Sequence, residues 1–247
     1  MALQPKFSII TITYNAASVI GPTLESVLAQ TYNNYEYILV DGGSADNTVA
    51  IAKASGISFA HMVSERDNGI YDAMNKGMAL ATGDYLCFLN AGDAFYAPDT
   101  LQTIVNAIAG ETELPDVLYG ETAVVDENRD FVRMRRLQAP EQLDWRSFKD
   151  GMLVCHQAFY ARREIAPAYD LQYRLSADVD WCIKVMKRAK KMVNVKATVV
   201  NYLQNGLSLQ YHRKSLMERF CIMSRHYGLL STIGRHIWFV LRAVIKR

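Results

Sequence analysis

A short apolar run, Tyr85 to Leu89, leads directly into the polar tetrapeptide Asn90-Ala91-Gly92-Asp93. The run predicts a strand covered on both faces, so Asp93 would stand at the carboxyl end of that strand. Open α/β sheets bind their ligands at this end, and a carboxylate beside glycine suits a divalent cation that also holds phosphate oxygens. The alternative is a plain surface turn, since Asn, Gly and Asp are ordinary turn residues.

Two other predicted strands also end in polar residues. Phe7 to Thr13 is followed by Tyr14-Asn15, and Tyr35 to Val40 ends at Asp41. Because the carboxyl ends of parallel strands meet at one edge of a sheet, we expect these residues and Asp93 to converge on a nucleotide crevice. The chain has neither a Gly-x-Gly-x-x-Gly motif nor a Gly-Lys-Ser/Thr motif, so the phosphates would be held by a metal ion.

The elements that position these residues alternate between strand and helix patterns in the first half of the chain. This alternation predicts an α/β fold with a mostly parallel central sheet, flanked by helices and joined by right-handed crossovers. The second half is less regular and favours a mixed or antiparallel region. Strands are predicted at 7–13, 35–40, 57–63, 85–89, 117–120, 123–125, 131–136 and 192–200, and helices at 18–30, 46–55, 70–81, 98–109 and 176–189.

Composition narrows the class of protein. The chain has 247 residues, half of them hydrophobic, and no repeat or low-complexity linker, which favours one continuous domain. The formal net charge of +2 names no partner, and we expect no nucleic-acid binding. The four cysteines form no Cys-x-x-Cys pair and predict buried free thiols in a reducing compartment. There is no signal-peptide pattern and no apolar run of about 20 residues, so we expect a cytoplasmic protein.

The C-terminal segment is basic. No acidic residue follows Glu218, and the apolar run Ile237 to Leu241 lies among cations. This pattern is typical of an amphipathic helix at a lipid interface, and we expect peripheral contact with the cytoplasmic face of the inner membrane. The alternative is a helix packed on its own domain or on a second subunit. The cations are Arg219, Arg225, Arg235, Arg242, Lys246 and Arg247.

Four motifs together resemble the family 2 glycosyltransferases, which are inverting enzymes with a GT-A fold. They are Phe-Ser-Ile-Ile-Thr-Ile-Thr-Tyr-Asn from Phe7, Leu-Val-Asp-Gly-Gly-Ser-Ala-Asp-Asn-Thr from Leu39, Ser-Glu-Arg-Asp-Asn-Gly-Ile-Tyr-Asp-Ala-Met-Asn-Lys-Gly from Ser64 and Gly-Asp-Tyr-Leu-Cys-Phe-Leu-Asn-Ala-Gly-Asp from Gly83. The later pairs His156-Gln157 and Ala177-Asp178 also fit, so the resemblance covers roughly residues 5 to 210. The third motif is similar to the branch that builds bacterial exopolysaccharides such as colanic acid.

The resemblance implies roles for the residues at the crevice. Asp41 would hydrogen-bond the uracil or ribose of the donor, Thr13 and Tyr14 would line the base pocket, and Asp67 would lie on the same side. Asp93 would bind Mg²⁺ or Mn²⁺ and bridge it to the diphosphate. Two departures stand out: Gly92 and Asn90 replace common aspartates, and Met74 replaces a common arginine, whose charge Lys76 would supply.

The resemblance places the catalytic base at Asp178, which would take the proton of the attacking acceptor hydroxyl. Asp178 as a helix N-cap, or Asp180 as the base, are the alternatives. His156, Gln157 and Trp181 would line the acceptor or diphosphate pocket. The alternatives are a structural role for His156 and core packing for Trp181, rather than stacking on a sugar. His212, near Asn205-Gly206, is either part of a lid over the phosphates or a surface histidine.

These expectations combine into one function: inverting transfer of a sugar, predicted to come from a UDP-sugar, to a saccharide or lipid-linked acceptor in bacterial surface polysaccharide biosynthesis. The predicted domain covers residues 1–215, with a nucleotide-binding half (1–115) and an acceptor half (116–215), and residues 216–247 form the helical tail. The alternatives are a non-catalytic sugar-nucleotide-binding or scaffold protein and a sugar nucleotidyltransferase. The second normally carries a glycine- and arginine-rich phosphate loop near its N-terminus, which this chain lacks.

Overall fold

The computed structural model describes residues 3–204 and 212–245, with residues 212 and 239–245 described as backbone. This part of the chain forms one nine-stranded sheet with seven α-helices around it. The strands are β1 (Phe7–Thr13), β2 (Tyr35–Asp41), β3 (His61–Ser64), β4 (Tyr85–Phe88), β5 (Ala94–Phe95), β6 (Val117–Val125), β7 (Phe131–Met134), β8 (Phe159–Arg162) and β9 (Met192–Leu203). The helices are α1 (Ile20–Leu28), α2 (Thr48–Ala54), α3 (Ile70–Leu80), α4 (Thr100–Asn106), α5 (Ala177–Arg188), α6 (His212–Tyr227) and α7 (Leu229–Ile245).

The sheet order is β3-β2-β1-β4-β8-β6-β9-β5, with β7 paired to β6. The first four strands are parallel, and the chain runs from β1 outward to β2 and β3 before it returns to β4 on the other side. The order therefore reverses at β1, and such a switch point opens a crevice at the carboxyl ends of the strands. Strand β8 is antiparallel to both β4 and β6, which confirms the predicted mixed sheet in the second half.

Burial explains why the sequence predicts strands β1 and β4. All seven residues of β1 and all four of β4 are buried, because helices cover both faces of the sheet there. Helix α3 packs most closely on β1: a methyl group added at Gly77 would lie 2.5 Å from Cγ2 of Ile10. The glycine lets the helix axis approach the sheet at this point.

The structure differs from the prediction at several strands, and β5 and β8 are two that the sequence did not predict. Strand β6 is continuous, where the sequence predicted two strands, 117–120 and 123–125, separated by Glu121 and Thr122. Gly120 lies against β9, and a Cβ there would be 2.7 Å from the carbonyl oxygen of Ala197. The glycine thus marks a close backbone approach rather than a break, and the pairing of β6 with β9 shifts register beside it. Strand β3 is shorter than predicted and begins at His61.

Two helices close the described chain, as the sequence predicted. Helix α6 packs against α5, where Nε2 of His226 lies 2.7 Å from Oδ1 of Asp180. The hydroxyls of Ser176 and Ser215 lie 3.1 Å apart across the same contact. Within the described ranges, none of the helices combines the length and the apolar composition that crossing a bilayer requires. The predicted loop around Asn205-Gly206 lies outside the described residues.

Gly77→Ala tests the close packing of α3. Alanine favours a helix over glycine by about 1 kcal/mol, but the added methyl would overlap Ile10 and overpacking costs about 1–3 kcal/mol. We therefore expect a lower free energy of unfolding in urea titrations. Gly234→Ala is the matched control, since a Cβ at Gly234 in α7 meets nothing within 4 Å. It should be neutral or stabilising, and equal effects of the two variants would contradict the packing argument.

Candidate active site

The loops after β1 and β2 are fastened to each other. Asn15 has a φ of 47°, and its backbone amide donates a hydrogen bond of 2.8 Å to Oγ of Ser44. Its Oδ1 accepts a bond of 2.9 Å from the amide of Ala45. Next along the chain, the amide of Ala16 donates to Oγ1 of Thr48 at 2.8 Å. The two strand ends therefore converge at one edge of the sheet, as the sequence predicted.

Asp41, at the end of β2, is fully buried and organises this edge. Its Oδ2 accepts hydrogen bonds from the amides of Gly43 (3.1 Å) and Ser44 (2.9 Å) and from the hydroxyl of Ser64 (2.7 Å). Its Oδ1 accepts from the hydroxyl of Ser44. The carboxylate thus ties the loop after β2 to the end of β3. Direct contact between Asp41 and a nucleotide stays a prediction, because these local donors already occupy both oxygens.

Three of the predicted nucleotide residues surround Gly42. A Cβ at Gly42 would lie 2.5 Å from Oδ2 of Asp67 and 3.3 Å from the ring of Tyr14. The amide of Gly42 donates to the carbonyl oxygen of Thr13 at 2.9 Å. Tyr14 is 65% exposed, so one face of its ring is open, and the buried Oγ1 of Thr13 has no hydrogen-bond partner among the described residues. The structure therefore brings Thr13, Tyr14 and Asp67 together around Gly42.

Lys76 has a different set of contacts from the one predicted. Its Nζ lies 2.7 Å from a carboxylate oxygen of Glu65 and donates to the carbonyl oxygen of Arg66 at 3.0 Å. The hydrogen bond to Glu65 raises the pKa of Lys76. The charge of Lys76 therefore supports the loop that carries Asp67. A direct contact between Lys76 and the donor phosphates stays a prediction.

Asp93 lies between β4 and β5 and is only 5% exposed. Its Oδ1 accepts a hydrogen bond of 3.0 Å from the amide of Leu203, at the end of β9, and its Oδ2 accepts one of 2.8 Å from Nε2 of Gln157. Burial raises the pKa of Asp93 to about 7, although these two bonds and the charge of Arg129 act in the opposite direction. The structure thus brings together the predicted metal ligand and Gln157, assigned to the diphosphate pocket.

The oxygen atoms around Asp93 suit a hard cation. Oδ1 of Asn90 is buried and has no hydrogen-bond partner in the described part of the chain. The amide of Asp93 donates to the carbonyl oxygen of Asn90 at 2.9 Å, so the two residues belong to one tight turn. Within the described ranges no cluster of three His, Cys, Asp or Glu side chains could hold a metal. One carboxylate and one amide oxygen fit Mg²⁺, which keeps several waters and takes the remaining ligands from substrate phosphate.

Sequence reasoning missed Arg129. This residue lies at the tip of the β6–β7 hairpin with a φ of 72°. One guanidinium nitrogen donates to the carbonyl oxygen of Gly92 and another to that of Val19 at 3.3 Å. Its neighbours Asp126, Glu127 and Asn128 are typical of a turn. No local signal in the sequence indicates that the side chain reaches the turn before Asp93.

Asp178 lies in the first turn of α5 and is half-buried, while Ser176 is the N-cap residue. The hydroxyl of Tyr71, on α3, donates a hydrogen bond of 3.0 Å to its Oδ1. Asp180, the alternative base, is fully buried and lies 2.6 Å from Nζ of Lys184 and 2.7 Å from His226. Burial acts to raise the pKa of Asp180, but the bonds from His226 and Lys184 hold it below its usual range. The side chain of Asp180 therefore stabilises the contact between α5 and α6.

His156 and Trp181 belong to an aromatic core cluster. Nε2 of His156 lies 2.5 Å from the hydroxyl of Tyr169, and burial lowers the pKa of this histidine to about 4. The indole nitrogen of Trp181 donates to the carbonyl oxygen of Pro167 at 2.7 Å, and its ring stacks on Tyr169 at 5.1 Å. Trp181 has no exposed surface. Its placement in a sugar-binding pocket was therefore wrong, and the packing alternative is the one observed.

Comparisons with known proteins agree with this geometry. A model of the family described as glycosyl transferase family 2 matches residues 8–167. The chain is 38% identical over 234 residues to a PGL/p-HBAD biosynthesis glycosyltransferase of Mycobacterium tuberculosis, covering 90% of this chain and 86% of the relative. It is 28% identical over 211 residues to the amylovoran biosynthesis glycosyltransferase AmsB of Erwinia amylovora, covering 79% of this chain and 69% of that one.

Solved structures show the same fold. A crystal structure of Staphylococcus aureus TarS, residues 1–349, aligns with a TM-score of 0.71 and 18% identity over 95% of this chain and 72% of that chain. The same fragment in complex with UDP-GlcNAc aligns with a TM-score of 0.70 and 17% identity over 95% and 73% of the respective chains.

Asp93→Asn tests the burial of the carboxylate. The folded protein holds the proton of Asp93 up to about pH 7, whereas the unfolded chain releases it near the ordinary pKa of about 4. The contribution of protonated Asp93 to the free energy of unfolding of the wild type is therefore largest below about pH 4, and it is lost as the pH rises through about 7. We expect the free energy of unfolding of Asp93→Asn to depend less on pH. Relative to the wild type, the variant should gain roughly 1–3 kcal/mol of stability between pH 5 and pH 8. Urea titrations at the two pH values measure it.

Asp99→Asn, an exposed position, is the matched control and should leave the wild-type pH dependence in place. If Asp93→Asn follows the same pH curve as the wild type, Asp93 is ionised in the folded protein and the burial argument does not hold.

Proposed function

The chain belongs to glycosyl transferase family 2, and we propose that it moves a sugar, with inversion, from a nucleoside-diphosphate donor to a saccharide or lipid-linked saccharide acceptor. The observation that carries this proposal is the pairing of two carboxylates with different surroundings, Asp93 in a buried oxygen-rich turn and Asp178 half-exposed on α5. Inverting transfer uses a general base for the acceptor hydroxyl and a positive group, such as a bound metal ion, that stabilises the leaving diphosphate. The similarity to an amylovoran biosynthesis glycosyltransferase supports an acceptor in surface polysaccharide biosynthesis.

The nucleoside would bind where Thr13, Tyr14 and Asp67 meet. The exposed ring of Tyr14 offers an aromatic face to a base, and the unpartnered hydroxyl of Thr13 offers a hydrogen bond. Asp41 would act by holding the loop after β2 in place. The fold shared with TarS, solved with UDP-GlcNAc, supports a UDP-sugar as donor.

Asp93 and Asn90 would hold Mg²⁺ or Mn²⁺, which neutralises the charge that develops on the leaving diphosphate. The chain's own contribution is to fix the oxygens before the ion binds. Gln157 and the amide of Leu203 orient the carboxylate of Asp93, and Arg129 holds the carbonyl oxygen of Gly92. This support compensates for the small number of protein ligands.

Asp178 would remove the proton of the acceptor hydroxyl as that oxygen attacks the anomeric carbon. Among the described residues, its side chain has one hydrogen-bond donor, the hydroxyl of Tyr71, which leaves an oxygen available for the acceptor. Asp180 lacks this availability, because its oxygens face Lys184 and His226.

The test separates binding from turnover. Calorimetry with UDP and GDP, each with and without Mn²⁺, should show metal-dependent binding of UDP to the wild type and its loss in Asp93→Ala. Asp178→Asn should bind UDP and Mn²⁺ as the wild type does, yet lose turnover by about 10²-fold or more in UDP release from a UDP-sugar with a p-nitrophenyl glycoside acceptor. Asp99→Asn is the exposed control and should match the wild type in both assays.

Each alternative has its own result. Metal-dependent binding of GDP in place of UDP would keep the reaction and change the donor. Nucleotide binding with no turnover for any donor and acceptor tried would favour the scaffold protein. Full turnover in Asp178→Asn would remove Asp178 from the base position.

We also propose that α7 rests on an anionic membrane surface. Five large apolar residues of α7 are exposed and, at 100° per residue, lie on one half of the helix. They are Leu229, Leu230, Ile233, Ile237 and Trp238. Thr232, which is buried, and Arg235, whose guanidinium lies 2.5 Å from Asp150, face the other half. The apolar face therefore points away from the protein body. The absence of acidic residues after Glu218 in the sequence complements anionic lipid.

Leu230→Glu tests this surface, because Leu230 is 86% exposed. We expect the variant to sediment less with vesicles of phosphatidylglycerol and phosphatidylcholine, since a carboxylate would enter the lipid interface. Leu28→Glu, the same change at a position 55% exposed on α1, should sediment as the wild type does. Equal binding of all three proteins, or no binding of the wild type, would show that α7 does not contact lipid.

A further inference from the structure

Tyr71 makes the link between the two halves of the candidate site. It is the second residue of α3, it is buried, and its hydroxyl reaches a carboxylate 107 residues further along the chain. Burial, followed by the charge of Asp178, raises the pKa of Tyr71. The phenol therefore keeps its proton at neutral pH and acts as a hydrogen-bond donor to Asp178.

Packing fixes the direction of this hydroxyl. The ring of Tyr71 stacks on Tyr169 with centroids 5.5 Å apart, and Tyr169 stacks on Trp181 of α5. One turn along α3, Asn75 donates to the carbonyl oxygen of Tyr169 at 3.1 Å and accepts from its amide at 2.7 Å. Helix α3 is thus fastened to the segment that leads into α5, and Tyr71 has little freedom to turn away from Asp178.

The proposed donor loop, residues 64–69, leads directly into the N-terminus of the same helix, beside Tyr71. The amide of Gly69 donates to Oδ1 of Asp67 at 2.9 Å, and the amide of Asn68 donates to Oδ2 of Asp72 at 2.9 Å. Gly69 has a φ of 115°, which glycine adopts readily. Asp67 therefore lies four residues from Tyr71, at the start of the same helix, so a shift of the loop moves the hydroxyl.

We propose that Tyr71 is a positioning residue that holds the candidate base, Asp178, in register with the donor loop at residues 64–69. The inference rests on the proposed function, because it assumes that Asp178 takes the acceptor proton. It adds that the orientation of the base depends on a side chain of the nucleotide-binding half. Binding of the donor against Asp67 then stabilises the same helix that aims the base.

The surroundings of Asp178 make its single donor important. Six titratable groups close enough to be affected by the charge of Asp178 are neutral at pH 7, because burial lowers the pKa of His156 and raises the pKa of the thiols and phenols. Glu218 faces Tyr71 from α6. The neutral groups are Tyr71, Cys155, His156, Tyr169, Cys182 and Tyr202.

Tyr71→Phe keeps the stacked ring and removes only the donor. With the UDP-sugar and p-nitrophenyl glycoside pair that the wild type turns over, we expect kcat to fall roughly tenfold, the usual scale for one hydrogen bond to a charged group. The Kd for UDP with Mn²⁺ should stay within about twofold. The acid limb of the pH–rate profile should move to higher pH, because a carboxylate that loses a donor is protonated more readily.

Tyr169→Phe is the matched control, since it removes one hydroxyl from the other ring of the stacked pair. That hydroxyl contacts His156 and not Asp178, so kcat should stay within about twofold and the pH–rate profile should not move. Circular dichroism and UDP binding confirm that both variants are folded. Equal losses in the two variants, or an unmoved profile in Tyr71→Phe, would overturn the proposal.

A double mutant separates this inference from the proposed function. In the Asp178→Asn background, Tyr71→Phe should cost no further turnover, because its partner is already changed. A further tenfold loss there would mean that Tyr71 acts elsewhere and would overturn the inference while leaving the base assignment intact. Full turnover of Asp178→Asn alone would instead remove Asp178 from the base position, and no turnover by the wild type with any donor and acceptor would refute the proposed function.

Discussion

The buried carboxylate of Asp93 is the constraint on which the rest of the site depends. It joins three segments that are far apart in sequence: the turn after β4, the turn that carries Gln157, and the end of β9 at Leu203. Burying an ionisable group is unfavourable unless hydrogen bonds or a counter-charge compensate. Two amide donors compensate in part, and the remaining cost of burial raises the pKa of Asp93.

The two aspartates of α5 show how environment divides roles within one helical turn. Asp178 and Asp180 are two residues apart, so their side chains leave the helix about 200° apart. One faces α3 and receives a single phenolic donor, whereas the other faces α6 and forms ion pairs with Lys184 and His226. The residue that stabilises the contact between helices thereby leaves its neighbour free for chemistry.

Features of the fold and the site that depend on residues close together in sequence could be predicted, and features that depend on distant residues could not. The strands from Phe7 and Tyr35 and the meeting of their polar ends could be predicted, because buried strands leave a continuous apolar signal. The position of Asp67 on the same side was implied only by the family resemblance. The continuity of β6 through Glu121 and Thr122 could not be predicted, because it depends on pairing with β9, whose register shifts at these residues. The burial of Trp181 and the reach of Arg129 depend on tertiary contacts that no local pattern encodes.

The β6–β7 hairpin has a consequence for protein engineering. Its tip residue, Arg129, adopts a left-handed backbone conformation and extends its guanidinium to the carbonyl oxygens of Gly92 and Val19. A hairpin of any other length would move that guanidinium away from the turn it supports. Grafting a foreign loop here would therefore also loosen the turn that carries Asp93. Chimeras between relatives should exchange this hairpin and the Asn90–Asp93 turn as one unit.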